Sequence, residues 1–401
     1  MNDRAALDLL LAHGPLSRAR IGQLTGLSKP TASQVLARLE EAGLVIAGGT
    51  SEGSPGPGAQ LYAVNPAAAY VAGVDVTPGL ITAAVADLTG GVLGSYELAL
   101  PAAGAEAGLQ QVTAVLDGAT AAAGLTTDRL HRVVIGAPLA FDLRAGRLRY
   151  PSHLVGWQTP DLLRELTAGL PVPVECENDV NLVAVAEHRL GAARGLSDFF
   201  LLWNEEGIGG ALMFGGRLFR GRTGGAGEVG FMPVPGTELI RGIDEAQTGG
   251  YQQLAGCQAV PELARSLGID YLSELPELAH LRGADEADGA VLEVATALLR
   301  AGAAAHGGGP YRLLLERFAT ALATGLASVA ATLDPELVVL AGGLLTAGGE
   351  PLRALLAAEL AELSAAQPPL VLAEVLDRPV LRGALETALA TTQEEVFDTS
   401  R

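Results

Sequence analysis

Ser28, Lys29, Thr31, Ser33 and Gln34 fall within seven positions, and together they offer the groups that read a nucleic-acid duplex. Their hydroxyls and amide can donate to and accept from base edges, while the ammonium neutralises a phosphate. Arg18, Arg20 and Arg38 flank the stretch and supply further cations for positioning on a backbone. Such side chains discriminate bases only if an element carries them into a groove. The surrounding residues predict that element. Ser17 can cap a helix over 18–25, Gly26 and Leu27 make a tight turn, and Ser28 caps a second helix with Pro30 in its first turn, where a missing N–H costs nothing. Val35, Leu36 and Leu39 form its apolar stripe, and Gly43 ends it. A leading helix over 5–13 completes the unit.

Helix, glycine turn and capped helix is the arrangement that lays a recognition helix in the major groove. Residues 44–46 and 61–64 bracket a Gly/Pro/Ser-rich turn and predict a β-hairpin wing. The same pattern would serve a three-helix packing unit, but the short polar groups on the leading face favour DNA. No lysine or arginine occurs between Arg38 and Arg129, so the wing cannot place a cation in a minor groove. Binding by one module is therefore expected to be modest. Two modules on a two-fold operator would compensate.

With 401 residues the chain exceeds a single core and predicts two or three domains. The net charge of −19 excludes generalised polyanion binding. Its distribution is uneven, because residues 1–66 carry five basic and five acidic side chains and are neutral. A neutral head on an acidic body suits contact with DNA through the head alone. Hydrophobic residues make up 49% of the chain without a membrane-length apolar run, and a soluble, cytoplasmic protein is expected. Cys176 and Cys257 have no metal-type spacing, which predicts inert buried thiols.

Beyond residue 66, strands alternate with helices in an α/β body. Residues 70–76 and 81–87 read as a hairpin, 133–135 and 173–176 as strands, 180–189 as a helix, and the second half repeats the scheme with strands at 199–203, 210–214 and 337–340. Several motifs then resemble the ROK family of repressors, open reading frames and sugar kinases: GAPLAFD at 136–142, ENDVNLVAVAE at 177–187, GIGGALMFGGRLFRGRTGGAGEVG at 207–230 and LAGGLL at 340–345. The resemblance implies a two-lobed, actin-like (ribonuclease H-like) ATPase body with sugar in its cleft, behind the winged helix. Expected domains are 1–66 for the head, 67–190 for the N-terminal lobe and 191–401 for the C-terminal lobe, with a final helix near 378–391 returning to the N-terminal lobe.

By the same resemblance Asn178, Asp179 and Glu228 are expected sugar contacts, His153 a further one, and Asp179 the position of the kinases' general base. Gln252 resembles a replacement for the family's second sugar glutamate. Three departures point away from catalysis. Asp75-Val76-Thr77-Pro78-Gly79 stands where the family's first phosphate loop resembles D-x-G-x-T, and proline has no N–H to offer a phosphate. Glu205 and Glu206 stand where the second phosphate loop should lie, so carboxylates would repel a polyphosphate by several kcal/mol. Phe231 replaces the histidine of the family's zinc module, and no cysteine follows.

Neither ATP nor zinc is therefore an expected cofactor, and no enzymatic activity is expected. The sequence predicts a transcriptional regulator, a repressor of carbohydrate-related genes, whose sugar or sugar-derived effector alters lobe closure and so the spacing of paired heads. Operator DNA, the effector and a second copy of the chain, as homodimer or homotetramer, are the expected partners. A ligand-free regulator and a sugar kinase with a DNA-binding head are the alternatives.

Overall fold

The computed structural model describes residues 2–50, 58–100, 107–138, 140–142, 147–149, 154, 157, 161–239, 249–281 and 288–398. The chain opens with α1 (Asn2–His13), β1 (Leu16–Ser17), α2 (Arg18–Thr25), α3 (Lys29–Glu41), β2 (Val45–Thr50) and β3 (Gln60–Val64). There follow β4 (Tyr70–Val76), β5 (Leu80–Asp87), β6 (Val92–Ala99), α4 (Gly108–Ala122), β7 (Arg132–Ala137), β8 (Ala140–Asp142), β9 (Arg147–Arg149), α5 (Leu162–Gly169), β10 (Val174–Asn178) and α6 (Asp179–Leu190). Next come β11 (Phe199–Asn204), β12 (Ile208–Phe214), β13 (Arg217–Leu218), α7 (Gly250–Ala255), α8 (Ala259–Ser266), α9 (Tyr271–Glu274) and α10 (Asp288–Ala304). The chain ends with α11 (Pro310–Leu333), β14 (Leu337–Ala341), α12 (Gly343–Leu363), β15 (Leu370–Leu372) and α13 (Pro379–Val396).

These elements form two compact units, one of Met1–Leu139, Gly146–Asp179 and Val380–Arg401, the other of Ala140–Ala145 and Val180–Pro379. In the first, α1 to β3 build a winged helix whose sheet has the order β1-β3-β2, with Val45 opposite Val64. Its core is apolar and closed by chain-distant residues. Leu7, Leu10, Ile21, Val35, Leu36 and Leu39 pack with Leu88 at the end of β5 and with Phe397, which follows α13 and is 1% exposed. A head this small buries a limited core of its own, so Leu88 and Phe397 add apolar area it would otherwise lack.

Behind the head lies a five-stranded sheet of order β10-β7-β4-β5-β6, in which β10, β7 and β4 are parallel and β5 and β6 antiparallel. Strands β4 and β7 read as continuous apolar runs because helices cover the sheet. In α13, Val380, Leu381, Ala384, Leu385, Ala388 and Leu389 are buried. The second unit repeats the strand senses: its sheet has the order β13-β12-β11-β14-β15, with β11, β14 and β15 parallel and β12 and β13 antiparallel. Helices α10, α11 and α12 cover it, joined in one core with Phe200, Leu202, Val338 and Leu340.

By length and composition α11 could cross a membrane, but Leu314, Leu315, Phe318, Leu322 and Leu326 on it are fully or almost fully buried in that core. Both cysteines are buried. Burial, with Glu175 and Glu177 adding to it, pushes the Cys176 thiol up to about 12, which keeps it un-ionised and unreactive at neutral pH.

Candidate functional site: a recognition helix and two carboxylate-bearing strand ends

The recognition geometry of the head follows from local capping. Ser17 Oγ accepts from the Arg20 N–H at 3.3 Å and starts α2, and Gly26, at φ 71°, ends it in the left-handed region that a side chain disfavours. Ser28 Oγ accepts from the Thr31 N–H at 3.4 Å and starts α3, and the two hydroxyls lie 2.8 Å apart. Ala32, Val35, Leu36 and Leu39 are buried on the opposite face, so Ser28, Lys29 and Gln34 face solvent. Thr31 and Ser33 are half-buried, and the Ser33 hydroxyl donates back to the Lys29 carbonyl at 2.9 Å. Lys29 and Gln34 therefore extend furthest, a long cation and a long amide about one and a half turns apart toward the leading end of the helix.

The flanking arginines are not equivalent. Arg18 and Arg20 are exposed, and Arg20 Nη1 donates to Gln23 Oε1 at 2.8 Å. Arg38 forks onto Asp3, with Nη2 2.5 Å from Oδ1 and Nε 3.3 Å from Oδ2, which raises the guanidinium pKa further and clips α3 to α1. Sequence spacing gave no sign of this pairing, because Asp3 lies 35 residues away. The tip of the wing, residues 51–57, lies outside the described residues.

In the body of the first unit the register aligns three strands at their carboxyl ends. Gly136 on β7 pairs with Glu177 on β10 and with Asp75 on β4. Crevices outside the carboxyl ends of parallel strands are where open α/β sheets hold ligands. Glu177 is 5% exposed and accepts from the Asn178 N–H at 2.9 Å, which orients the β10–α6 junction where Asn178 and Asp179 stand. The β4–β5 turn closes on itself. Thr77 N–H and Leu80 N–H exchange bonds with each other's carbonyls, and the Thr77 hydroxyl donates to the Leu80 carbonyl at 2.8 Å. His153 lies outside the described residues. Nearby, Trp157 is buried and its indole N–H donates to Gln111 Oε1 at 2.8 Å.

In the second unit, Glu228 is exposed on the loop after β13, and Phe231 ends the short 3-10 turn that follows it. Glu205 follows β11 beside the start of α12, where its Oε1 lies 3.3 Å from the point a Cβ on Gly343 would occupy. Gln252 stands beside the start of β12. Its amide is 8% exposed, accepting from the Ile208 N–H at 2.7 Å and donating to Gln258 at 3.1 Å.

Sequence reasoning missed Glu187, although it closes the 177–187 motif. Fully buried, it accepts from the backbone N–H groups of Ala192 at 2.8 Å, Glu374 at 3.0 Å and Val375 at 2.8 Å. A carboxylate ten residues after Glu177 on a helix face was the available signal.

Comparison with known proteins accords with this architecture. The ROK family model matches residues 71–259 and the MarR family model residues 3–55. The xylose repressor of Bacillus subtilis (strain 168) is 26% identical over 246 residues, covering 58% of this chain and 60% of that repressor. The chain thus spans about three fifths of the length of that relative. The ROK hexokinase of Thermus thermophilus aligns with a TM-score of 0.62 and 29% identity over 81% of this chain and 99% of its own. A ROK family transcriptional regulator, homologous to the E. coli MLC protein, aligns with a TM-score of 0.74 over 99% of this chain and 98% of its own, at 19% identity, a likeness of fold. The chain thus carries a ROK family domain, matched over residues 71–259, behind an N-terminal MarR-type winged helix, matched over residues 3–55.

Proposed function

We propose that the protein is a sugar-responsive DNA-binding repressor acting in the cytoplasm. The observation that carries the reading is the capped recognition helix α3, with Lys29 and Gln34 exposed at its leading end, standing in front of a ROK domain. Two relatives, each 26% identical to this chain, are named xylose repressors, and the effector proposed here is a sugar or sugar-derived molecule. Asn178 and Asp179 in the first unit and Glu228 in the second are each proposed as hydrogen-bonding groups for it. Ser28, Lys29, Thr31, Ser33 and Gln34 read and hold DNA, with Arg18 and Arg20 on the flanking backbone. Two copies of the chain bind a two-fold operator.

Regulation rather than phosphoryl transfer is supported by two features. The donors of Thr77 and Leu80 and the Thr77 hydroxyl are spent within their own turn, and Pro78 has none. Glu205 places a carboxylate beside the start of α12, where a helix N-terminus would otherwise favour a phosphate. Neither ATP nor zinc enters the proposed mechanism.

The test is to select the sequence bound by the purified chain and titrate the complex with D-xylose, D-glucose, their phosphates and common glycosides. Operator affinity falling about tenfold or more with one of them, a coupling near 1.4 kcal/mol, is the expected result. Failure of every carbohydrate to shift it would remove the sugar response and leave a regulator whose body only dimerises or docks. ATP-dependent sugar phosphorylation, abolished in Asp179→Asn, would overturn the regulatory reading.

A further inference from the structure

The loop that carries Glu228 lies between β13 and α7, and its backbone is fixed from two sides. On the β12 side, the Gly210 N–H donates to the Gly227 carbonyl at 2.8 Å. The approach is so close that a Cβ on Gly227 would fall 2.0 Å from the Gly210 oxygen. On the α7 side, the Tyr251 N–H donates to the Met232 carbonyl at 2.9 Å. Between these points the Phe231 N–H donates to the carbonyl of Glu228 itself at 3.3 Å. The position of Glu228 is therefore set by the spacing of β12 and α7.

Gln252 ties those two supports together. Its Oε1 accepts from the N–H of Ile208, the first residue of β12, and its Nε2 donates to Gln258 beyond the end of α7. The amide packs against glycine backbone on two sides, and Gly256 leaves it the room it needs. A Cβ on Gly256 would fall 2.4 Å from Nε2, and one on Gly230, within the Glu228 loop, 3.6 Å from Oε1. The neighbouring Tyr251 holds α7 in place, since its hydroxyl donates to the Leu322 carbonyl at 2.6 Å and its ring fills the space beside Gly325 of α11.

We propose that Gln252 is the positioning residue for the Glu228 carboxylate: its amide sets the β12–α7 spacing, and so the loop. The inference rests on Glu228 as a ligand contact, as proposed above. The chemistry requires a side chain that accepts at one end and is matched at the other. Leucine fills the slot but strands the buried Ile208 N–H. Glutamate keeps the acceptor, and the Gln258 amide can turn to present its NH2 to the second oxygen.

The experiment uses the full chain with Gln252→Leu, Gln252→Glu and Glu228→Ala, read by amide hydrogen exchange at Ile208, Gly210 and Phe231 and by calorimetric titration with D-xylose and D-glucose. Gln252→Leu should speed exchange at these amides about tenfold and weaken sugar binding about tenfold, the scale of one buried donor left unsatisfied. Gln252→Glu should hold both within about threefold of the parent, by the same scale. Glu228→Ala should lose sugar binding with exchange unchanged. Gln252→Leu with parental exchange and affinity overturns the proposal, as does Gln252→Glu failing in both readouts. Should the parent bind neither sugar, the ligand reading fails on its own, and unchanged exchange in both Gln252 variants would still overturn the scaffold.

Discussion

The guanidinium of Arg4 lies over the ring of Phe397, 5.4 Å from its centroid, joining the first helix of the head to the residue after the last helix of the chain. Arg4 Nη1 also reaches the Gln393 carbonyl at 3.5 Å, and Gln393 Nε2 donates to the Leu88 carbonyl at 3.0 Å. The head is thus seated on α13 and on the end of β5 by a buried ring with polar contacts around it.

Phe397→Ala should remove that seat. Loss of a fully buried aromatic costs about 3–5 kcal/mol, and the cation over it adds about 0.5–1 kcal/mol. Operator affinity should fall, and hydrogen exchange should rise in α1 and α3 before the body responds. Parental exchange in α1 would show that the head holds itself together.

Lys29→Ala should weaken binding to all DNA sequences alike and reduce the slope of log affinity against log salt by about 1, the mark of a phosphate contact. Gln34→Ala should relax preference at one base pair, costing about 1–3 kcal/mol there. Arg38→Ala should weaken DNA binding less than Lys29→Ala, because its guanidinium is engaged by Asp3. Electrophoretic titration at several salt concentrations orders the three.

Glu187→Ala should destabilise the second unit strongly. Three backbone N–H groups would lose their acceptor in a fully buried setting, each at about 1–3 kcal/mol. Glu187→Gln, which turns an NH2 toward donors, should be nearly as damaging. Urea unfolding monitored at Trp203 would measure both, and a loss under about 1 kcal/mol would contradict the role assigned to the carboxylate.

Glu395 should contribute a small acid-sensitive stability. The hydrogen bond from His131, with the charges of Arg132 and His131, holds its carboxyl below the ordinary 4.5 against partial desolvation. A depressed carboxylate stabilises the fold above its unfolded pKa and loses that contribution as pH falls through the folded value. Because Glu395 is 45% exposed, screening keeps the effect below about 1 kcal/mol. Glu395→Gln should therefore melt slightly earlier than the parent at pH 6, and the two curves should converge below pH 4.5. A gap that persists in acid would exclude this origin.

Much of the head could be read from local residues, because caps, turns and helical stripes are short-range physics. Ser17, Gly26, Ser28 and Pro30 mark the boundaries of α2 and α3 within a few residues of the elements they punctuate. The strands of the body were legible from their apolar runs, and the motifs at 136–142, 177–187 and 207–230 carried the family. Glu228 was visible only through such a motif, since an exposed glutamate has no local signature of its own.

Other relationships were decided by the tertiary structure alone. Phe397 reads as an unremarkable residue near the chain end until α13 brings it into the core of a head nearly four hundred residues earlier. Arg38 reads as a free cation until the packing of α1 on α3 places Asp3 against it. Gln252 reads as one position of a motif, and only the fold shows that its amide meets the buried Ile208 N–H. Sequence determines which segments can form and which groups they carry, because propensity and periodicity act over a few residues. Which buried donor meets which acceptor is settled by the assembled sheets, where leaving either group unpaired costs more than any local preference provides.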